Sequence, residues 1–405
     1  IKGMNGKSAI FPKLVITLDK GINMYPNDPN YDIKKLVLKC QSLRDYPDIV
    51  FGKNIKNITG GSYMTSMGCR SFLPAWKNEK GNYQISGRLN MGVVTINPVH
   101  CALDSNTISQ FWSKLKKSTE LAHEALKFRI ARIREVKPQE APLIWQEGAI
   151  ARLKDDEDVT PVLKGGRCTV SLGYIGIYET VTKFFGDKWE DNSVACNFAL
   201  SIVQYLHDEC HKWYEEEGYY YSTYSTPSES LTGRFCEIDK NKFGNIKDIT
   251  SKGYYNNSFH YDVRKPISPF EKMKFEAPFQ HIASGGFISY NELPDVKNNL
   301  DALESVIDYS YDVGIGYMGT NIPMDACLSC GFTGKCLETD TGYKCPNCGE
   351  TKHLQIVLRL CGYLGSLNER QISKGRMNEI EHRVYHTLSN NQYTPYHDEH
   401  IMHKE

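Results

Sequence analysis

Four cysteines in two C-x-x-C pairs carry the most legible chemistry of this chain: Cys327-Leu328-Ser329-Cys330 and Cys345-Pro346-Asn347-Cys348. Two such knuckles across a short loop bring four thiolates around one tetrahedral ion. That is the ligand set of a closed, structural zinc site, with no position open to a substrate. Gly331 and Gly349 directly follow the pairs, where the backbone has to turn tightly. Cys336 lies inside the loop and fits neither knuckle. Downstream runs Arg359-Leu360-Cys361-Gly362-Tyr363-Leu364-Gly365, and far upstream a single thiol, Cys69, stands in Met67-Gly68-Cys69-Arg70-Ser71-Phe72-Leu73. By themselves a lone glycine marks a turn and a lone cysteine packs as a small hydrophobe. A glycine is also the residue that can hold a backbone radical, because its bare α-carbon can flatten and share the unpaired electron with the flanking amides.

Two polar segments could hold a ligand. In Arg88-Leu89-Asn90-Met91-Gly92-Val93-Val94-Thr95, Asn90 is either a turn residue ahead of a strand or a hydrogen-bonding group. In Tyr224-Ser225-Thr226-Pro227-Ser228-Glu229 the pattern reads as a capping box, with Thr226 as N-cap, Pro227 at the first helical position and Glu229 closing the box. The same helix start would attract an anion through its unpaired amides and dipole. Both readings of Glu229, cap or acid/base group, stay open at this point. Gly285-Gly286 and Gly165-Gly166 match no nucleotide fingerprint and imply tight backbone only.

The elements that must position these groups alternate. Apolar, β-branched segments at Ala9–Leu18, Gly92–Ile96, Thr169–Ile177 and His281–Tyr290 read as strands, several of them buried on both faces. Between them, residues 105–135 and 194–217 carry apolar side chains at helical spacing. This predicts an α/β architecture with largely parallel strands. From Asn321 the texture becomes Gly- and Cys-rich, a last helix is expected over Arg376–Thr387, and Ser389–Glu405 reads as a polar, solvated tail holding His397, His400 and His403. The expected organisation is a catalytic body over 1–320, a zinc-binding ribbon over 321–352, and a glycine loop, helix and tail over 353–405.

Composition excludes several classes. Lys+Arg and Asp+Glu are both 48 in 405 residues, which supports neither a nucleic-acid groove nor an anionic membrane surface as the main partner. No apolar run has the length of a membrane span, and no signal-peptide pattern opens the chain. Nine of the thirteen cysteines are scattered singly, as in a protein of a reducing, cytoplasmic compartment. The start at Ile1, without an initiator methionine, suggests part of a longer or split enzyme.

The Arg-x-Cys-Gly-Tyr run, the Cys69 segment and the Asn90 segment together resemble the large subunit of class III, anaerobic ribonucleotide reductases, over almost the whole chain. The resemblance implies a ten-stranded α/β barrel, of which this chain would hold the later strands, with a finger loop carrying Cys69 and a glycine loop reaching in beside it. It implies a radical on Gly362, installed by a separate radical-SAM activase, and a thiyl on Cys69 that takes the 3′-hydrogen of a ribonucleoside triphosphate. S–H and glycyl Cα–H bonds are similar in strength, so a radical stored on carbon can be used on sulfur. Asn90 would bind the ribose hydroxyls, Ser225, Thr226 and Ser228 the phosphates, and Glu229 would act as acid/base. Formate as reductant, a homodimer, an N-terminal portion with a further cysteine and a role in DNA synthesis are implied too. A pyruvate formate-lyase-like enzyme would need adjacent cysteines, whereas Gly68 precedes Cys69. A zinc-ribbon interaction module would leave the Cys69 and Gly362 motifs without a purpose.

Overall fold

A computed structural model describes residues 8–340, 342–367 and 372–387. The expected histidine-bearing tail lies outside them. Among the described residues, and apart from a small hairpin of Trp76–Lys77 with Tyr83–Gln84, seven strands make the α/β body: β1 (Val15–Leu18), β2 (Asp48–Phe51), β3 (Leu89–Ile96), β4 (Cys168–Tyr174), β5 (Tyr220–Ser225), β6 (Ser289–Glu292) and β7 (Tyr317–Asn321). They form two sheets, β1-β2-β7-β6 and β3-β4-β5. All pairs are parallel except β2 with β7. Gly286, just ahead of β6, bridges to Tyr224 of β5 and to Ser71, so it links the two sheets and the Cys69 segment. Every residue of β2, β4 and β7 is buried, as strands covered on both faces require.

The two long helices are close to their predicted limits. Ile108–Arg134 starts at Thr107, whose hydroxyl accepts from the Gln110 amide, and buries Phe111, Leu115, Ala122, Leu126 and Ile130. Ser193–Glu217 starts at the Asn192 cap and stops at Gly218, whose φ of 75° ends the helix cheaply.

Other expectations are corrected. His281 and Ile282 finish the helix Pro269–Ile282, and only the last part of the expected strand, from Ser289, is extended in a sheet. The apolar run 169–177 is a strand only to Tyr174, since Ile177 already begins a helix. The first strand covers Val15–Leu18, not Ala9–Leu18. The last helix is Lys374–Glu381, after which Val384 and His386 donate to the carbonyls of Val263 and Glu292 and run extended. In each case an apolar period recorded burial, and burial is shared by the turn and the helix end that adjoin the strand.

The predicted capping box is not formed. The helix after β5 is Ser230–Phe243, preceded by Glu229, and no side chain caps it. Thr226 instead hydrogen-bonds Thr95 across β4 at 2.9 Å. Beyond β7, short antiparallel pieces at Asp325–Cys327, Thr333–Gly334 and Leu354–Gln355 and a hairpin of Leu337–Thr339 with Gly342–Lys344 make the cysteine ribbon. A second hairpin, Val357–Arg359 with Leu364–Ser366, follows and presents residues 360–363 at its tip.

Candidate active site

Cys69 sits at the tip of a tight loop in which Met67 and Ser71 exchange backbone hydrogen bonds of 2.7 and 3.1 Å. The loop is pinned from below: Phe287 donates to the Arg70 carbonyl and Phe72 to that of Gly285. A side chain on Gly286 would collide with the Arg70 carbonyl and come 2.8 Å from the Ser71 α-carbon, so the Gly-Gly pair serves this close approach. Arg70 is wholly buried and donates to Asn257 at 3.0 Å and to the Ser225 carbonyl at 3.4 Å. The Cys69 sulfur lies 3.8 Å from the Tyr224 hydroxyl. Burial pushes the Tyr224 phenol well up from its ordinary value, so it stays neutral.

Gly362, at the buried tip of the second hairpin, meets this loop. A β-carbon added to it would run into the Cys69 β-carbon and lie 2.7 Å from the Cys69 α-carbon and carbonyl oxygen. Nothing larger than glycine fits there. Gly365, the other glycine of the segment, faces the Leu360 side chain instead. The Cys361 thiol donates to the Glu229 carboxylate at 3.3 Å. Burial first, then the neighbouring Cys69 and Glu229, pushes that thiol up.

The remaining predicted residues are placed as follows. Ser225 is fully buried and bonds the Tyr174 hydroxyl at 2.9 Å. Ser228, also fully buried, accepts from Arg376 at 2.9 Å. With Thr226 they form one loop at the carboxyl end of β5, next to Glu229 and so to Cys361. Asn90 is not in that group. In register it lies opposite Thr169 and Tyr220, at the amino ends of β4 and β5. Five residue steps separate Tyr220 from Ser225, roughly 17 Å at the usual rise. Its amide reaches Ser222 of β5 through Ser171, each step 2.9 Å, and its side-chain carbonyl accepts from the Gly92 amide at 2.8 Å.

Sequence reasoning missed three charged residues here. Lys13 donates to the Cys69 carbonyl at 2.8 Å and pairs with Asp48, also at 2.8 Å. Arg376, 4 % exposed, links Ser228 to Glu379 and to the Arg359 carbonyl. A charged residue's type carries no sign that it will be buried, so only its partners could reveal these.

The ribbon brings Cys327, Cys330, Cys345 and Cys348 together with their sulfurs within 4.8 Å of one another. The Cys327–Cys348 and Cys330–Cys345 pairs are 3.6 and 3.7 Å apart. Four sulfurs about 2.3 Å from a central zinc would be about 3.8 Å apart, so the cluster fits that ion. The Asn347 amide and the Phe332 backbone draw the Cys330 thiol down. Gly331 and Gly349, at φ of 75° and 77°, make the expected turns. Cys336 stays out of the cluster: its thiol is buried among apolar side chains and pushed up to about 12.

A model of the family "Anaerobic ribonucleoside-triphosphate reductase" matches residues 1–386. The chain belongs to this family. It is 46% identical to the anaerobic ribonucleoside-triphosphate reductase of Escherichia coli (strain K12), over 96% of this chain and 55% of that protein. It is also 46% identical to the enzyme of Enterobacteria phage T4, over 95% of this chain and 63% of that one. The chain thus spans little more than half the length of the curated relatives it matches. Among solved structures, an anaerobic ribonucleotide reductase superposes with a TM-score of 0.69 at 17% identity, covering 93% of this chain and 55% of that one. A glycyl radical enzyme from Archaeoglobus fulgidus follows the same fold with a TM-score of 0.56 at 13% identity, over 93% and 53%. The mixed α/β body is therefore a reductase and glycyl-radical-enzyme fold. Among the described residues no helix is long and apolar enough to cross a membrane.

Proposed function

We propose that this chain carries the radical centre of an anaerobic ribonucleoside-triphosphate reductase, with Gly362 storing the radical and Cys69 using it. The observation that supports this most is the packing of the Gly362 α-carbon on Cys69, across nearly three hundred residues of sequence. A radical-SAM activase removes one hydrogen atom from Gly362. The Gly362 α-carbon then takes the hydrogen of the Cys69 thiol, restoring Cα–H and leaving a thiyl. That thiyl takes the 3′-hydrogen of the ribose, and the 2′-hydroxyl leaves as water, with formate as the external reductant. Glu229, beside the glycine loop, is the group to move a proton at the ribose, and the Ser225–Ser228 loop binds phosphate. Asn90, linked to β5 through Ser171 and Ser222, hydrogen-bonds the ribose hydroxyls. The protein's share is placement and exclusion of water and oxygen.

Residues 1–320 form the catalytic body, part of a ten-stranded barrel in the assembled enzyme, and 353–405 the radical loop, the terminal helix and a polar tail. The ribbon, 321–352, holds one zinc ion through Cys327, Cys330, Cys345 and Cys348. The ion supplies folding free energy to the segment that leads into Gly362. We place the enzyme in the cytoplasm, as a homodimer serving DNA synthesis.

The test is anaerobic activation with the activase, followed by electron paramagnetic resonance and then exposure to air. A glycyl doublet is expected, and oxygen should then cut the chain at Gly362, because carbon radicals add oxygen and the backbone fragments. A cut at Gly365, or no doublet and no deoxyribonucleotide, would overturn this assignment.

A further inference from the structure

We infer that Lys13, Asp48 and Arg359 form a clamp that holds the Cys69 loop and the Gly362 loop in register, with Lys13 as the positioning residue for Cys69. The inference rests on the radical reading above.

Asp48 opens β2 and its carboxylate is wholly buried. On one side it accepts from Lys13, whose ammonium at the same time donates to the Cys69 carbonyl at 2.8 Å. On the other it accepts from Arg359, at 3.0 and 3.3 Å. Arg359 ends the strand that leads into the glycine tip, three residues before Gly362. One carboxylate therefore ties the root of one radical loop to the tip of the other. The rest of the Arg359 fork is committed to the Thr320 carbonyl and to Asp45, so the arginine is fixed by the β7 end and by the turn before β2. Lys13 also lies over the ring of Tyr363, 5.7 Å from its centre, and over that of Tyr317 at 5.2 Å. It touches the chain on the far side of Gly362 as well.

Within the cluster, Lys13 and Arg359 face two carboxyls, Asp45 and Asp48, and burial pushes the Asp45 carboxyl up to about 7 and the Lys13 ammonium down from its ordinary value. Stability alone is a poor reason for it, since apolar replacements of buried ion pairs are often neutral or better. A geometric duty accounts for it. Fixing the Cys69 peptide oxygen fixes the direction in which its side chain leaves the backbone. Hydrogen-atom transfer requires reacting atoms in contact, and small misplacements are costly. The Lys13 ammonium is spent on Cys69 and Asp48 and takes no part in the chemistry itself.

Lys13→Met keeps the apolar stem and removes the donor, and Lys13→Arg keeps a cation of similar reach. Activated with the same activase, Lys13→Met should form the Gly362 doublet at the wild-type level. Its kcat should fall by about tenfold or more with KM for the nucleotide unchanged, and Lys13→Arg should recover most of the loss. In the unactivated protein, amide hydrogen exchange across residues 67–71, read by peptide mass spectrometry, should speed up several-fold in Lys13→Met. A kcat within about twofold of wild type, or an unchanged exchange rate, would overturn the clamp. Should wild type itself give no doublet, the radical reading fails and the exchange rate alone decides the clamp. If Lys13→Met does not fold, Lys13→Gln, too short to span both partners, takes its place with the same two outcomes.

Discussion

The cysteine ribbon and the glycine hairpin adjoin in sequence and are held by opposite means. The ribbon's ligands come from two short knuckles, Cys330 and Cys348 are exposed, and its outer strand Leu337–Thr339 faces solvent along its whole length. Its shape depends on four sulfurs agreeing locally. The glycine hairpin has no such local device. Val357–Arg359 and Leu364–Ser366 are buried throughout, and their partners are remote: Arg359 reaches Asp48 across 311 residues and Cys361 reaches Glu229 across 132. A metal site can be specified by spacing, whereas a radical site that must exclude water is specified by what the rest of the fold packs around it.

That contrast can be broken most severely at Gly362. Gly362→Ala should abolish both the glycyl doublet and turnover, because the new methyl group has no room beside Cys69. A variant that keeps the doublet would show that the close approach is only packing. Cys345→Ser should lose stoichiometric zinc and, with it, several kcal/mol of local folding free energy. Hydrogen exchange is expected to speed up across residues 325–355 while β3, β4 and β5 keep their protection, and equal loss in both regions would erase the distinction drawn here.

A smaller effect separates the two roles of Glu229. Glu229→Gln should lower turnover by about a hundredfold, the usual share of a general acid/base. Its melting temperature should stay close to wild type, since the helix from Ser230 makes no use of a side-chain cap. Loss of about 1 kcal/mol of stability with intact turnover would restore the cap. The smallest expected change is at the crossing of the last helix with Ser230–Phe243, where a β-carbon on Gly233 would lie 3.0 Å from the Gly375 α-carbon. Gly233→Ala should cost about 1–3 kcal/mol in chemical denaturation and move Arg376 away from Ser228.

Where the sequence misled, the reason is the same in each place. Thr226-Pro227-Ser228-Glu229 satisfies every local rule for a capping box, yet Thr226 is drawn to Thr95 and Glu229 lies against Cys361. Local propensity lost to contacts made by strands far away. The segment 281–290 reads as one strand, but its first two residues end a helix and Gly285 and Gly286 pack against the Cys69 loop before the chain enters the sheet.

What the sequence marked out by itself was the candidate groups, four cysteines at ligand spacing and one thiol and one glycine in separate motifs, together with two amphipathic helices. These are properties of residue type and short period, which survive without a fold. Only the tertiary structure decided which glycine touches Cys69, whether Glu229 caps a helix or faces a thiol, and that Lys13, Asp48 and Arg359 meet. Those outcomes depend on close packing and buried charge between segments hundreds of residues apart, and such pairings leave no periodic trace in the chain.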